Sequence, residues 1–463
     1  MNNKKNILYR AGAILIALAL WQIAAMTASM EILLVSPVKV IARLFTIWTE
    51  EGFLSTVIFS LFRITSGFLL AVILGFFLAV IAGKFKPVEY LLWPYVVTFK
   101  AVPVASFIIM CLIWLSYNQL TVFISFLIVF PVIYSNVLTG YKNTDEGLLE
   151  MARVFRLPYK NRFKYIYMPG IRPYFESACS ISVGMAFKAG VAAEVIGVVG
   201  GSIGEKLYEA KIYFQSADLF AWTIIIIIMS VLLEKLFSLI IRKLFNLMAK
   251  SRSHDFAEGA GRTCAETVSH GTNPELVGIT KRFGDKQVLN NLSLSFPSGK
   301  ITCLNGPSGV GKTTLFRIIS GLIKPDSGTI IGLPQDGRIG YVFQEDRLCE
   351  EFSVIENIAL VAGKCSGKDK IMEHLTMLGL SNDADRKVSE LSGGMKRRVA
   401  IARAMCYDAP MLLLDEPFKG LDAKLKDSVI EYVLKETKGK TVIIITHDPS
   451  ESEMMGVDSV IEI

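Results

Sequence analysis

At 463 residues the chain is too long for one ordinary core, and a mean hydropathy of +0.45 with 52% hydrophobic residues is high for a purely soluble protein. The net charge of +7 is uneven: residues 1–248 hold 22 Lys and Arg against 13 Asp and Glu, and the remainder holds 27 against 29. The basic excess thus goes with the apolar half, where it argues membrane orientation rather than nucleic-acid binding, and seven scattered cysteines without a C-x-x-C or Cys/His cluster argue against a zinc site or disulfide scaffold and suit a reducing cytoplasmic face.

The chain opens on a short basic stretch (Lys4, Lys5, Arg10) and an apolar run from Ala11 to about Ala28. A signal peptide is the alternative, but no persuasive small-residue cleavage site precedes Glu31, so the run reads as a membrane anchor. Further apolar spans are expected at about 56–82, 90–115, 119–140, 174–199 and 217–245, six in all. Lys84, Lys86, the loop from Lys142 to Arg172 and the pair Arg242, Lys243 then fall on one side, with seven basic and three acidic residues in that loop. By the positive-inside rule both termini are cytoplasmic. Lys188 and Glu194 sit within the fifth span, where ionisable groups are costly. They either line a pathway tolerant of an anion or serve as gate or helix contacts. Arg63 and Lys100 are expected to snorkel towards the interfaces.

Residues 249–273 are rich in Ser, Gly, Ala, Thr and charge without apolar periodicity, and read as a flexible linker. The expected domains are therefore a membrane domain over 1–248 and a globular domain over 274–463.

Within the second domain, Gly306-Pro307-Ser308-Gly309-Val310-Gly311-Lys312-Thr313-Thr314 reads G-x-x-x-x-G-K-[ST]. Ile301 to Asn305 before it has the apolar character of a buried strand, and Leu315 to Ile319 continues with helical spacing. That is the setting a phosphate-binding loop requires: glycines let backbone N–H groups close around phosphate oxygens, and the helix N-terminus adds a positive dipole end. Lys312 is placed to reach the β- and γ-phosphates of ATP and Thr313 to hold Mg²⁺. The bland alternative is a glycine-rich loop that matches by chance. Two further apolar runs support the chemical reading. Met411 to Leu414 ends in Asp415-Glu416, suited to holding Mg²⁺ and to orienting or deprotonating a water; Val442 to Ile445 ends in Thr446-His447, at the strand edge where α/β sheets place ligands.

Leu391-Ser392-Gly393-Gly394-Met395 resembles the L-S-G-G-Q signature that separates ABC proteins from other P-loop NTPases, with Met395 in place of the usual Gln. The resemblance implies further roles in an α/β ABC ATPase domain. Phe283, in Thr280-Lys281-Arg282-Phe283, would stack on adenine. Gln344, after Tyr341-Val342-Phe343, would be the Q-loop glutamine at Mg²⁺ or its water. Asp422, in Gly420-Leu421-Asp422, would belong to the D-loop, and His447 would be the switch histidine at the γ-phosphate. Ser392, Gly393 and Gly394 would complete the phosphate site of a second copy, so one such domain per chain implies a homodimer.

The membrane half resembles binding-protein-dependent ABC importer permeases. Glu150-Met151-Ala152, then Arg156, then Ile166, Met168 and Pro169 keeps the spacing of their E-A-A…G…I-x-L-P loop, which forms a coupling helix docked on the ATPase. Met151 replaces that family's second-position Ala and Arg156 its glycine, a departure expected to bear on docking geometry. Ser36-Pro37-Val38-Lys39-Val40, Ser60 to Ile64 with Gly67-Phe68, Lys100 to Pro103, Ala193-Glu194 and Gly201 to Gly204 are similar to the nitrate/sulfonate/taurine subfamily over about residues 30–245. The resemblance implies a type I importer permease fold of about six transmembrane helices. It also implies an extracytoplasmic binding protein as partner, a small and anionic solute, and membrane lipid rather than nucleic acid as surroundings. An exporter half-transporter and a non-transporting ABC machine are the competing classes. The short loops leave little room for the long cytoplasmic helices of exporters, and the machines typically lack an importer-style loop. With Ile463 soon after His447, no regulatory C-terminal domain is expected.

Overall fold

The computed structural model describes residues 2–27, 35–257, 273–362 and 367–463. These form two compact units: Met1–Asn143 with Pro169–Phe245, and Thr144–Met168 with Asn246–Ile463. The loop that carries Glu150 therefore belongs to the second unit, although it lies within the expected 1–248 domain.

The first unit is helical. Among the described residues four helical runs are long and apolar enough to cross a membrane: Phe53–Lys84, Tyr117–Lys142, Tyr159–Gly197 and Ser216–Leu247. This differs from the six expected. The span expected at 90–115 is a bent pair, Lys86–Ala101 and Val104–Cys111, turned by 106°. Pro103 lacks an N–H and drives Val102 to an extended conformation (φ −71°, ψ 128°), so the helix cannot run through. The first expected span is the helix Asn2–Thr27, whose described apolar portion, Leu15–Thr27, is short of the roughly 20 residues a bilayer needs. The last helix runs on to Ala257, into the expected linker, whose residues 258–272 lie outside the described ones.

Phe53–Lys84 packs along Tyr117–Lys142 through small residues. A side chain at Gly67 would overlap the carbonyl oxygen of Val122, so only glycine permits this approach. Arg63 does not snorkel: it is buried, donates to the Tyr117 carbonyl and lies 4.8 Å from the Phe59 ring centroid. One guanidinium nitrogen is held by that carbonyl and the plane lies by the Phe59 ring, while Nε and Nη1 are buried without a hydrogen-bond partner. Lys100 Nζ donates to Ser135 Oγ at 2.7 Å. Glu194 is fully buried and accepts from Ser60 Oγ at 2.8 Å and from the Gly204 N–H at 3.4 Å, while Ser60 Oγ accepts from the Ile203 N–H. It ties two helices to the Gly201–Gly204 segment. Lys188 lies exposed on the same helix, away from this tie.

Among its described residues the second unit holds eight strands. A three-stranded antiparallel sheet, ordered β2-β1-β4, consists of β1 (Glu275–Phe283), β2 (Lys286–Ser295) and β4 (Ser327–Ile331). A five-stranded parallel sheet is ordered β5-β6-β7-β3-β8, with β3 (Ile301–Asn305), β5 (Ile339–Val342), β6 (Met411–Asp415), β7 (Thr441–Ile445) and β8 (Ser459–Glu462). Every residue of β5, β6 and β7 is buried, as near-continuous Val, Ile and Leu runs require when both faces of a parallel sheet are covered.

The Thr144–Met168 loop joins this core. Asp145 caps the helix Glu146–Val154 by accepting from the Gly147 and Leu148 N–H groups. The helix closes with Leu157 N–H bonded to the Ala152 carbonyl and Arg156 N–H to that of Arg153, which places Arg156 in the left-handed region (φ 51°). The tight turn expected of glycine is thus kept, with arginine in its place. Met151, Phe155, Leu157, Tyr165 and Ile166 are all buried, each worth roughly 1.5–3 kcal/mol of apolar burial if fully removed from water. Phe155 meets Tyr407 edge-on at 4.9 Å and Tyr165 meets Phe352 at 6.2 Å.

Candidate nucleotide site

Three adjacent strands of the parallel sheet, β6, β7 and β3, deliver their C-terminal ends to one cleft of about 360 Å³. It is lined by Phe283, Val288, Ser308, Gly309, Gly311, Lys312, Thr313, Thr314, Gln344, Asp415, Glu416, Ile445 and His447. The loop after β3 starts the helix Lys312–Ile319. Gly311 caps it at φ 116°, and a Cβ there would lie 2.8 Å from Leu289 Cδ2. Lys312 Nζ is held by the carbonyls of Gly306 at 2.6 Å and Pro307 at 3.1 Å, and the Val310 N–H bonds back to Pro307, so these three form the wall of the loop.

Asp415 ends β6 and accepts from Thr313 Oγ1 at 3.2 Å. Burial, then the neighbouring Glu416 charge, push its carboxyl up to about 6 against the pull of the Thr313 bond. Glu416 follows with φ 48°, held there by its N–H bond to the Ile445 carbonyl at 2.8 Å. Its Oε2 pairs with Lys419 Nζ at 2.7 Å and its Oε1 lies 3.5 Å from His447 Nε2. Burial alone raises its pKa, but Lys419, His447 and the Gln344 hydrogen bond outweigh that and hold the carboxyl below the usual range. A carboxylate between an amide and an imidazole can orient a water or accept a proton from it.

Phe283, at the end of β1, is half exposed and lies at the cleft, as an aromatic platform requires. The signature residues lie elsewhere. Ser392 caps the helix Gly393–Cys406, accepting from the Met395 N–H at 3.4 Å, and Asp422 caps Ala423–Glu436, accepting from the Leu425 N–H at 2.9 Å. A Cβ built on Gly394 would lie 3.5 Å from the Gly420 carbonyl, so the two capped segments are neighbours, and neither cap lines the cleft of its own chain.

Several residues that hold the site together carry no motif signal of their own. Arg397 is buried and donates to the carbonyls of Phe343, Asp415, Glu416 and Pro417 and to Asp346 Oδ1, joining Gln344's segment to the carboxylate pair. Arg403, fully buried, donates to the carbonyls of Asp346 and Arg347. Glu150 is ion-paired with Arg317, on the Lys312 helix, and with Arg347 at 2.7 Å, three residues after Gln344. What reveals Arg397 is its burial, which has no local sequence signal.

Comparison with known proteins agrees with this geometry. The family described as "ABC transporter" matches residues 289–419, and "Binding-protein-dependent transport system inner membrane component" matches residues 71–250. The lipoprotein-releasing system ATP-binding protein LolD of Bacteroides thetaiotaomicron is 38% identical over 195 residues, covering 38% of this chain and 89% of that protein. The Nod factor export ATP-binding protein I of Rhizobium sp. is 41% identical over 197 residues (39% of this chain, 64% of that protein). The sulfate/thiosulfate import ATP-binding protein CysA of Vibrio vulnificus is 38% identical over 197 residues, 38% of this chain and 57% of that protein. The chain thus spans less than two thirds of the length of the last two. A helical membrane unit and an ATP-hydrolysing domain that serves transport are joined in one polypeptide, and the chain belongs to the ABC transporter family.

Proposed function

We propose that this chain is an ATP-driven importer of a small anionic solute, of the sulfonate, taurine or nitrate class, received from an extracytoplasmic binding protein. The observation that carries the reading is the match of residues 71–250 to binding-protein-dependent inner membrane components. Supporting it, the loop bearing Glu150 joins the ATPase core and pairs with Arg317 and Arg347, next to both nucleotide-site loops. The CysA relatives, named for sulfate and thiosulfate import, favour an anionic solute. The Nod factor and LolD relatives are named for export and lipoprotein release, so the ATPase half alone does not choose direction.

The chain works as a homodimer with both termini and the ATPase domain cytoplasmic. Ser392, Gly393, Gly394 and Asp422 of one copy face the cleft of the other, which fits their position on neighbouring segments outside their own cleft. Phe283 stacks on adenine. Backbone N–H groups from Gly306 to Thr314 cradle the phosphates, and Lys312 leaves its carbonyl partners to bind the β- and γ-phosphates. Glu416, held by His447 and Gln344, orients the attacking water. Thr313, Asp415 and Gln344 offer the hard oxygen donors that Mg²⁺ takes, and the Thr313–Asp415 contact fits such a site; the ion supplies charge neutralisation on the phosphates.

ATPase activity of the purified chain in lipid, with and without the binding protein encoded nearest to it and candidate solutes, tests this. Stimulation only by loaded binding protein is expected. Activity indifferent to any binding protein but raised by lipids or hydrophobic compounds would move the assignment to export.

A further inference from the structure

Arg156 stands where the importer loop has glycine, in a backbone conformation that glycine adopts freely and arginine does not. A non-glycine residue in the left-handed region costs roughly 1–2 kcal/mol. Such a cost persists where the side chain makes a compensating contact, and here it does. Arg156 Nη1 donates to the Asp336 carbonyl at 2.5 Å, and the guanidinium lies over Gly337, where a Cβ would overlap it. The turn beneath is itself well ordered by its bonds: Gly337 (φ 59°) donates to the Pro334 carbonyl at 2.7 Å, and the Arg338 N–H donates to Asp336 Oδ1 at 2.9 Å. The backbone and side-chain bonds from Arg338 and its charge, with a smaller contribution from the Arg156 charge, hold the Asp336 carboxyl below its ordinary range against the effect of burial. One residue back, Phe155 is inserted against Tyr407. The loop therefore grips the ATPase fold with an apolar knob and a cationic hook side by side.

We propose that Arg156 is a positioning residue that registers the 144–168 loop on the ATPase fold by seating its guanidinium on the Pro334–Arg338 turn. A Cβ at 337 would meet the far end of this flexible side chain, so glycine there lets the guanidinium lie close on the turn, and a larger residue would push it aside. The inference rests on the reading of this loop as the element that couples the two activities.

Amide hydrogen exchange on the full chain in lipid tests the contact without any solute. In Arg156→Ala and Arg156→Gly, the Gly337 and Arg338 amides are expected to exchange about two- to fivefold faster, as loss of a solvent-exposed charge-assisted contact implies. Arg156→Gly also relieves the left-handed strain, so its unfolding midpoint should equal or exceed that of Arg156→Ala. Faster turn exchange in the better-folded variant would separate the contact from general destabilisation. Gly337→Ala should speed exchange of the 155–157 amides in the parent chain but add nothing in the Arg156→Gly background. Stimulation of ATPase turnover by loaded binding protein should fall in the Arg156 variants with the KM for ATP unchanged, since Arg156 does not reach the cleft. Unchanged turn exchange in both Arg156 variants, or equal loosening of 155–157 by Gly337→Ala in both backgrounds, overturns the proposal. Exchange that follows the expected pattern in a chain that no binding protein stimulates would support the registration and remove the importer reading.

Discussion

Glu150 and Arg317 form an ion pair in which the carboxylate is buried and the guanidinium 37% exposed, on the same helix that Lys312 begins. Arg317 lies five residues, about 1.4 helical turns, after Lys312, and Arg347, three residues after Gln344, pairs with the same carboxylate's second oxygen. One side chain thus touches segments next to both loops of the cleft.

Glu150→Lys places three cations together. Breaking a buried pair costs roughly 3–5 kcal/mol, and the exposure of Arg317 sets the expectation at or below the lower end. We expect solute uptake in proteoliposomes to be lost while ATPase activity without solute persists. Uptake at the unmodified rate would remove the loop from the mechanism.

Glu416→Gln keeps the shape of the side chain but removes the charge that Lys419 and His447 face. ATP binding should be retained and turnover should fall by about 10²–10⁴, the usual contribution of general acid–base catalysis. Single-turnover hydrolysis close to that of the parent would sink the role given to Glu416.

Arg397→Lys retains a charge but cannot serve four carbonyls and Asp346 at once. Charge-assisted hydrogen bonds contribute about 1.5–3 kcal/mol each, not additively, so a loss of about 3 kcal/mol or more is expected in denaturant unfolding of the ATPase unit. The kcat for ATP should fall with it, because Glu416's backbone loses its hold. A variant as stable as the parent would mean that water takes over these bonds.

Gly67→Ala tests the membrane unit. The added methyl meets the Val122 carbonyl, so the two longest-packed helices must separate, a strain of typically 1–3 kcal/mol. A lower thermal midpoint in detergent is expected, whereas Gly52→Ala, at an open position, should report only the cost of its left-handed φ of 83°.

The nucleotide cleft was legible because each part is a strand end followed by a few residues of fixed chemistry: Gly311-Lys312-Thr313, Asp415-Glu416 and His447 are local in sequence and meet because parallel strands share one edge. What holds them was not legible. Arg317, Arg347, Arg397 and Lys419 look like surface cations in a charged sequence, and only tertiary contacts reveal Arg397 as buried. Whether Pro103 bends a span or merely ends one depends on packing no local pattern encodes. Arg63 was misread for the same reason: a cation in an apolar helix snorkels by default unless a carbonyl waits inside. Arg156 was noted as a departure, yet its φ and its seat on Gly337 required the folded turn.

The ATPase unit is assembled from two pieces of chain, Thr144–Met168 and Asn246–Ile463, with a stretch of membrane helix between them. During synthesis the first piece emerges early and must wait until β1 at Glu275 and everything after it have been made, because the hollow that Phe155, Leu157 and Tyr165 fill does not yet exist. Until then these side chains are open apolar surface beside a bilayer. Conversely, a ribosome product that began at β1 would fold around an unfilled hollow and expose it to its neighbours. Fusing membrane and ATPase halves in one polypeptide ensures that the filler and the hollow are made in equal number, in a fixed order, within one lifetime of translation.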